Sequence, residues 1–180
     1  MRSLLFLVPY CFAVSVQAQQ GDLAANTASA PPTVEILFKN GEEAYRTGAY
    51  TKAIALFDQV LAKDADHLNA YLQRGFCHSV QQNYTAAVAD FTEVIKRRND
   101  HLWAYTSRGG AYNRLGKPEL AMRDFDAVLA LDPKDQEAYN NRGWAKKTLG
   151  DLKGACEDWR TSKKLGNGEA RIILTNNRCK

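Results

Sequence analysis

Apolar residues recur at spacings of three and four through residues 34–169, in short stretches separated by small or polar breaks. That spacing draws one apolar stripe along a helix, whereas a strand would alternate apolar and polar positions. The clearest pair of stretches runs over 102–115 and 119–131, with Gly116 between them. The pattern predicts an all-α chain built from paired amphipathic helices.

The pairs recur every 34 residues, as units 34–67, 68–101, 102–135 and 136–169. The eighth position is Gly41, Gly75, Gly109 and Gly143. The twentieth is Ala53, Ala87, Ala121 and Ala155, and the twenty-fourth is Phe57, Phe91, Phe125 and Trp159. Small residues let two helices approach closely, and an aromatic ring fills the space beside that contact. The fifteenth position is Gly48, Gly116 and Gly150, with Gln82 in the second unit, where a helix must end and the chain turn. Pro118 follows at the start of the next helix, where its missing N–H is harmless. One helix pair cannot bury its stripe alone; stacked neighbours bury it jointly, as a solenoid.

The third to eighth positions spell Ala-Tyr-x-x-Arg-Gly three times, at 70–75, 104–109 and 138–143. Arg74, Arg108 and Arg142 are each matched at position 23 by Asp90, Asp124 and Asp158; the first unit lacks both, with Asn40 and Leu56. Joint presence and joint absence predict ion pairs between helices, within a unit or across to its neighbour.

Gly109, Tyr112, Leu115-Gly116, Ala121, Phe125 and Asp132-Pro133 of the third unit, repeated in phase by the others, resemble the tetratricopeptide repeat family, in the form found in exported bacterial proteins. The resemblance implies an α-solenoid of four helix-turn-helix units whose first helices line a concave, partner-binding groove. Carried onto this chain, the groove holds Phe38, Tyr45, Asn69, Leu72, Phe76, Trp103, Asn113, Arg114, Asn140 and Trp144, with Gly110 among them. Aromatic anchors beside amides suit an extended peptide or protein partner. The clamp by which some family members grip a terminal carboxylate is not carried over, since Phe38 and Glu42 stand where its first Lys and Asn belong.

The last unit departs from the frame after Trp159, with Ser162 in the column of Val60, Val94 and Val128. Ala170, Ile173 and Leu174 then fall at helical spacing, which predicts a capping helix over 170–180. Cys156 stands in an inward column and Cys179 ends the cap, so a disulfide between them would tie the cap down; the alternative is that Cys156 is only a small buried hydrophobe. The ending "GACEDW…LG…EA…C" also resembles the last repeat of exported tetratricopeptide proteins. Cys77 is expected to be buried and inert.

Ahead of the repeats, Arg2 and the apolar run Leu4 to Val16 lead to Val16-Gln17-Ala18, the pattern of a cleaved secretory signal over 1–18. The apolar run is too short to span a bilayer. Residues 19–33 are small, polar and end in Pro31-Pro32, as a disordered linker does. These features predict a periplasmic or secreted protein with no membrane span after cleavage. Cleavage removes Arg2 and no acid, lowering the formal charge from +4 to +3, too mild to argue for nucleic acid. The basic run Lys96-Arg97-Arg98 ends a predicted helix, where cations favour the helix dipole.

Chemistry is sparse. His67, His78 and His101 are the histidines, and two of them share the last position of a unit, which points to a structural role. The chain has no Cys-x-x-Cys, no Gly-rich phosphate loop and no nucleophile elbow. The expectation is a scaffold without catalysis, cofactor or metal. A second reading makes it a substrate-recruiting accessory subunit of an envelope enzyme system.

Overall fold

The computed structural model describes residues 31–179. The predicted signal over 1–18, and the linker up to residue 30, lie outside the described residues. Helices α1 (Val34–Arg46) and α2 (Tyr50–Lys63) form the first pair. They are followed by α3 (Leu68–Val80) with α4 (Tyr84–Arg97), α5 (Leu102–Arg114) with α6 (Pro118–Leu131), and α7 (Gln136–Thr148) with α8 (Leu152–Lys164). A last helix, α9 (Glu169–Asn176), packs on α8. Among the described residues there is no strand. Each helix packs on the next, and the first helices also touch one another, α1 with α3, α3 with α5 and α5 with α7. Contacts of that extent do not join the second helices. The closer spacing of first helices curves the stack with those helices inside.

Each turn within a helix pair closes the same way. The residue three past the first helix donates its N–H back to a carbonyl five positions earlier: Ala49 to Ala44, Asn83 to His78, Lys117 to Tyr112 and Asp151 to Lys146, at 2.8–3.0 Å. The residue before it must take a left-handed backbone, and φ is +79° at Gly48, +68° at Gly116 and +86° at Gly150. Gln82 takes the same conformation at +61°, against its Cβ. Gln82→Gly is therefore expected to stabilise the fold by roughly 0.5–1 kcal/mol, the relief of strain exceeding glycine's entropy cost. A raised urea midpoint at unchanged slope would show it; an unchanged or lowered midpoint would refute it.

Side chains cap the helix starts. His67 Nδ1 accepts from Ala70 N at 3.1 Å and His101 Nδ1 from Ala104 N at 3.2 Å, which is what the shared column of histidines does. Burial, and then the charge of Arg98, lower the pKa of His101 and keep that acceptor unprotonated. Asp135 and Asp151 cap α7 and α8 in the same manner.

The eighth and twenty-fourth columns meet inside each pair. A Cβ added to Gly41, Gly75 or Gly109 would lie 2.6–2.8 Å from a ring carbon of Phe57, Phe91 or Phe125. At Gly143 it would lie 2.5 Å from Trp159 Nε1. All four rings are fully buried. The indole of Trp159 keeps its N–H satisfied by donating to the Asn140 carbonyl at 3.1 Å. The departure at Ser162 has a local reason. Its side chain is fully buried and its hydroxyl donates to the Gln136 carbonyl at 2.7 Å, so α8 continues through it.

The Ala-Tyr-x-x-Arg-Gly motif is a junction between helices. Arg74, Arg108 and Arg142 each hold both oxygens of Asp90, Asp124 or Asp158 at 2.6–3.0 Å. Their remaining nitrogen reaches back to the preceding unit: Arg74 to Asp58 at 2.6 Å, Arg108 to Thr92 at 3.1 Å, Arg142 to Asp126 at 2.7 Å. The tyrosine three residues earlier lies against each guanidinium, with centroid distances of 5.4–5.7 Å. One arginine thus ties two helices of its own unit and one of the unit before.

At the far end, Ile173, Leu174 and Cys179 pack on Ala155, Cys156 and Trp159, and Ala170 is fully buried. Cys156 and Cys179 are joined as a disulfide with Cα atoms 5.6 Å apart. A loop of this size contributes about 3 kcal/mol in the chain-entropy account. Cys77 is fully buried, and burial pushes its thiol up to about 11, which suppresses its reactivity.

Candidate partner-binding face

The first helices present their inner faces side by side, and one depression spans the second, third and fourth units. About 530 Å³ in volume, it is lined by Phe76, Tyr84, Asn113, Arg114, Asn141 and Trp144 among others. Its floor is aromatic because Phe76 and Trp144 share the ninth position of their units. Each ring stands edge-on to the buried ring of its own helix pair, Phe76 to Phe91 at 5.4 Å and Trp144 to Trp159 at 5.1 Å. Gly110, in the same column between them, has no side chain, and a Cβ there would meet nothing within 4 Å. The absent side chain leaves the space open.

Arg114 rims the depression, and Lys147 stands beside its tryptophan. Arg114 Nε donates to Tyr84 Oη at 3.1 Å, and Lys147 Nζ lies 5.0 Å from the Trp144 ring. Asn113 Nδ2 donates to the Asn141 carbonyl at 3.4 Å, which holds the amide against α7. Asn141 also borders a second, polar depression of about 450 Å³, lined by Gln136, Glu137, Asn140, Asn167 and Glu169. Two side-chain oxygens, Gln136 Oε1 and Asn140 Oδ1, are buried here and accept no hydrogen bond. A third depression, of about 420 Å³, shares Gln136 and Glu137 and holds Leu102, Trp103 and Thr106. Trp103 is 69% exposed, against 39% for Trp144.

The residues expected along the groove thus separate. Phe76, Asn113, Arg114 and Trp144 come together in one depression; Asn140 and Trp103 lie in the two beside it. Leu72 is half-buried and Asn69 exposed, outside all three. In the first unit the aromatic rings are engaged in packing. Phe38 lies 5.7 Å from Phe57 and 4.6 Å from the His67 ring, and Tyr45 lies 5.7 Å from Tyr50. Tyr84 was not expected at the groove, since it opens a second helix. The signal available was the pairing of Tyr50 and Tyr84 in one column, where later units have Pro118 and Leu152.

The basic run Lys96-Arg97-Arg98 is consumed in ion pairs. Lys96 and Arg97 both bind Glu93, Arg97 also reaches Asp66 and the Ala65 carbonyl, and Arg98 approaches Asp100 at 3.8 Å. Among the described residues no helix is long and apolar enough to cross a membrane.

A curved stack of helix pairs, with small residues and rings in fixed columns and an open inner face, defines a helical-repeat protein of the interaction-module class. The family model described as Tetratricopeptide repeat matches residues 38–101, 78–135 and 106–159, more than half of the chain, and this protein belongs to that family. Family members are interaction modules that bind other proteins. Among solved structures, one described as "Crystal structure of MamA" is 21% identical, with a TM-score of 0.73 over 79% of this chain and 83% of that one. "MamA 41-end from Desulfovibrio magneticus RS-1" is 23% identical, with a TM-score of 0.72 over 74% of this chain and 75% of that one. At such identities the likeness is one of fold. No curated protein matches the chain.

Proposed function

We propose that this chain is a non-catalytic scaffold, exported to the cell envelope, that holds an extended segment of a protein partner along its inner face. The observation that carries the reading is the open depression over Gly110, with an aromatic floor from Phe76, Tyr84 and Trp144 and a cationic rim from Arg114. An apolar side chain of the partner enters there. The neighbouring polar depression, lined by Gln136, Glu137, Asn140 and Asn167, offers polar side chains to its backbone N–H and C=O groups, which an extended strand leaves free. Export rests on the apolar leader and the Val16-Gln17-Ala18 site.

Gly110→Leu tests this without disturbing the fold, because the new side chain has room and leucine favours a helix over glycine. A photo-crosslinking residue at Ser79, which lines the depression, is expected to capture a defined partner in the native host. One at Lys52, exposed on α2, is expected not to. Gly110→Leu is expected to abolish capture at an unchanged or raised melting temperature, and Trp144→Ala to weaken binding about thirtyfold, as a central aromatic anchor does. Unaltered capture in Gly110→Leu would overturn the reading.

A further inference from the structure

Charge is unevenly placed on this chain. Residues 34–151 carry sixteen Lys and Arg against sixteen Asp and Glu, whereas residues 152–180 carry seven against three. The whole excess of the repeat region therefore lies from α8 onward. One of the three acids, Asp158, is buried beneath Arg142 and Lys146, which leaves Glu157 and Glu169 outside.

The fold gathers these cations around the disulfide. A cavity of about 540 Å³ between α8 and α9 is lined by Arg160, Lys163, Lys164 and Arg171, with Leu174 and Cys179. A smaller one, about 290 Å³, shares Arg160 and Cys179 and adds Lys153 and Arg178 beside Leu152. Among the described residues no carboxylate lines either cavity. Helix dipoles account for Lys163 and Lys164, in the last turn of α8, but not for the rest. Lys153 is the second residue of α8 and Arg171 the third of α9, at helix starts where a cation is unfavourable. Apolar side chains accompany them. Ile172 is 59% exposed and Leu152 45% exposed. Ile172 precedes Thr175 by one helical turn on α9, so it stands beside the face with which α9 lines the larger cavity.

We infer that this end of the solenoid docks on a membrane surface carrying anionic lipid. Lys153, Lys163, Lys164, Arg171 and Arg178 meet headgroup phosphates, and Leu152 and Ile172 enter the interface. A soluble anion uses the cations alone; a bilayer uses the cations and both apolar side chains. Attachment is peripheral, since no described helix is long and apolar enough to span. The surface belongs to α8 and α9, apart from the inner faces of α3, α5 and α7, so a partner and a membrane are held together.

The test is sedimentation of the chain lacking residues 1–18, whose core lies within α1–α9, with vesicles of phosphatidylcholine alone or with phosphatidylglycerol added. Binding is expected only to the anionic vesicles. It should weaken about a hundredfold in Lys163→Gln/Lys164→Gln/Arg171→Gln, at roughly fivefold for each cation removed. Ile172→Ser, which leaves every charge in place, should weaken it several-fold. Raising salt from about 50 to about 500 mM should release the unaltered chain, a readout that needs no variant. Equal binding to both vesicle types, or no loss in the triple variant, would overturn the proposal. Retention on immobilised polyglutamate without vesicle binding would also overturn it, and would assign the patch to an acidic polypeptide.

Discussion

Asp124→Ala is expected to destabilise the protein by about 3–5 kcal/mol, the cost of stranding a buried charge. Asp124 is 4% exposed and holds Arg108 through two hydrogen bonds, at 2.7 and 2.9 Å. Burial lowers the pKa of that guanidinium, but the bonds and charge of Asp124 outweigh it, so the net shift is upward. Once Asp124 is gone, Arg108 keeps no carboxylate, only the neutral hydroxyl of Thr92 and the rings of Tyr105 and Tyr112. Asp90→Ala is expected to cost less, because Arg74 retains the carboxylate of Asp58 at 2.6 Å. Chemical denaturation of both variants checks the order. The double variant Arg108→Ala/Asp124→Ala should lose less than the two single losses combined, since removing both partners strands neither. Additive losses would show that the pair is not coupled, and would remove the reason given for its recurrence.

Phe125→Ala is expected to cost a similar 3–5 kcal/mol, because the ring is fully buried and α5 cannot collapse onto the space it leaves. The more discriminating measurement is on its partner. Alanine is a better helix former than glycine by about 1 kcal/mol, so Gly109→Ala on an open helix would stabilise. Here the new methyl would lie 2.8 Å from Phe125 Cε1 and 3.2 Å from Asp124 Cβ, and the expected result is a net loss of about 1–3 kcal/mol. In a Phe125→Leu background the ring is gone. Gly109→Ala should then become neutral or stabilising, as judged by urea midpoints. A loss of the same size in both backgrounds would mean that the glycine is kept for some reason other than close approach.

The helices were legible because their cause is local. Gly116 and Pro118 mark an end and a start, and the structure ends α5 at Arg114 and begins α6 at Pro118. The columns were legible because each unit solves the same packing problem. The Arg and Asp columns could be matched by joint presence, but the backward reach of Arg74 to Asp58 and of Arg142 to Asp126 could not. Position 25 carries Asp58, Thr92, Asp126 and Arg160, too varied to read as a column. Ser162 read as the repeat fading, yet it is buried, because its hydroxyl finds an acceptor in the Gln136 carbonyl at the start of α7.

The groove was legible only as a set of faces. Which side chains share a depression depends on the offset between neighbouring units, on the open space at Gly110, and on Tyr84 reaching in from a second helix. Sequence by itself determined the helices, their pairing and the glycine–aromatic contacts, because these rest on spacing within one unit. Only the tertiary structure decided that Trp103 and Trp144 stand in separate depressions, that Phe38 and Tyr45 pack against neighbouring rings, and that the cations of α8 and α9 surround one cavity. Those outcomes depend on the angle and distance between units and on how the last helix folds back, which no single 34-residue period encodes.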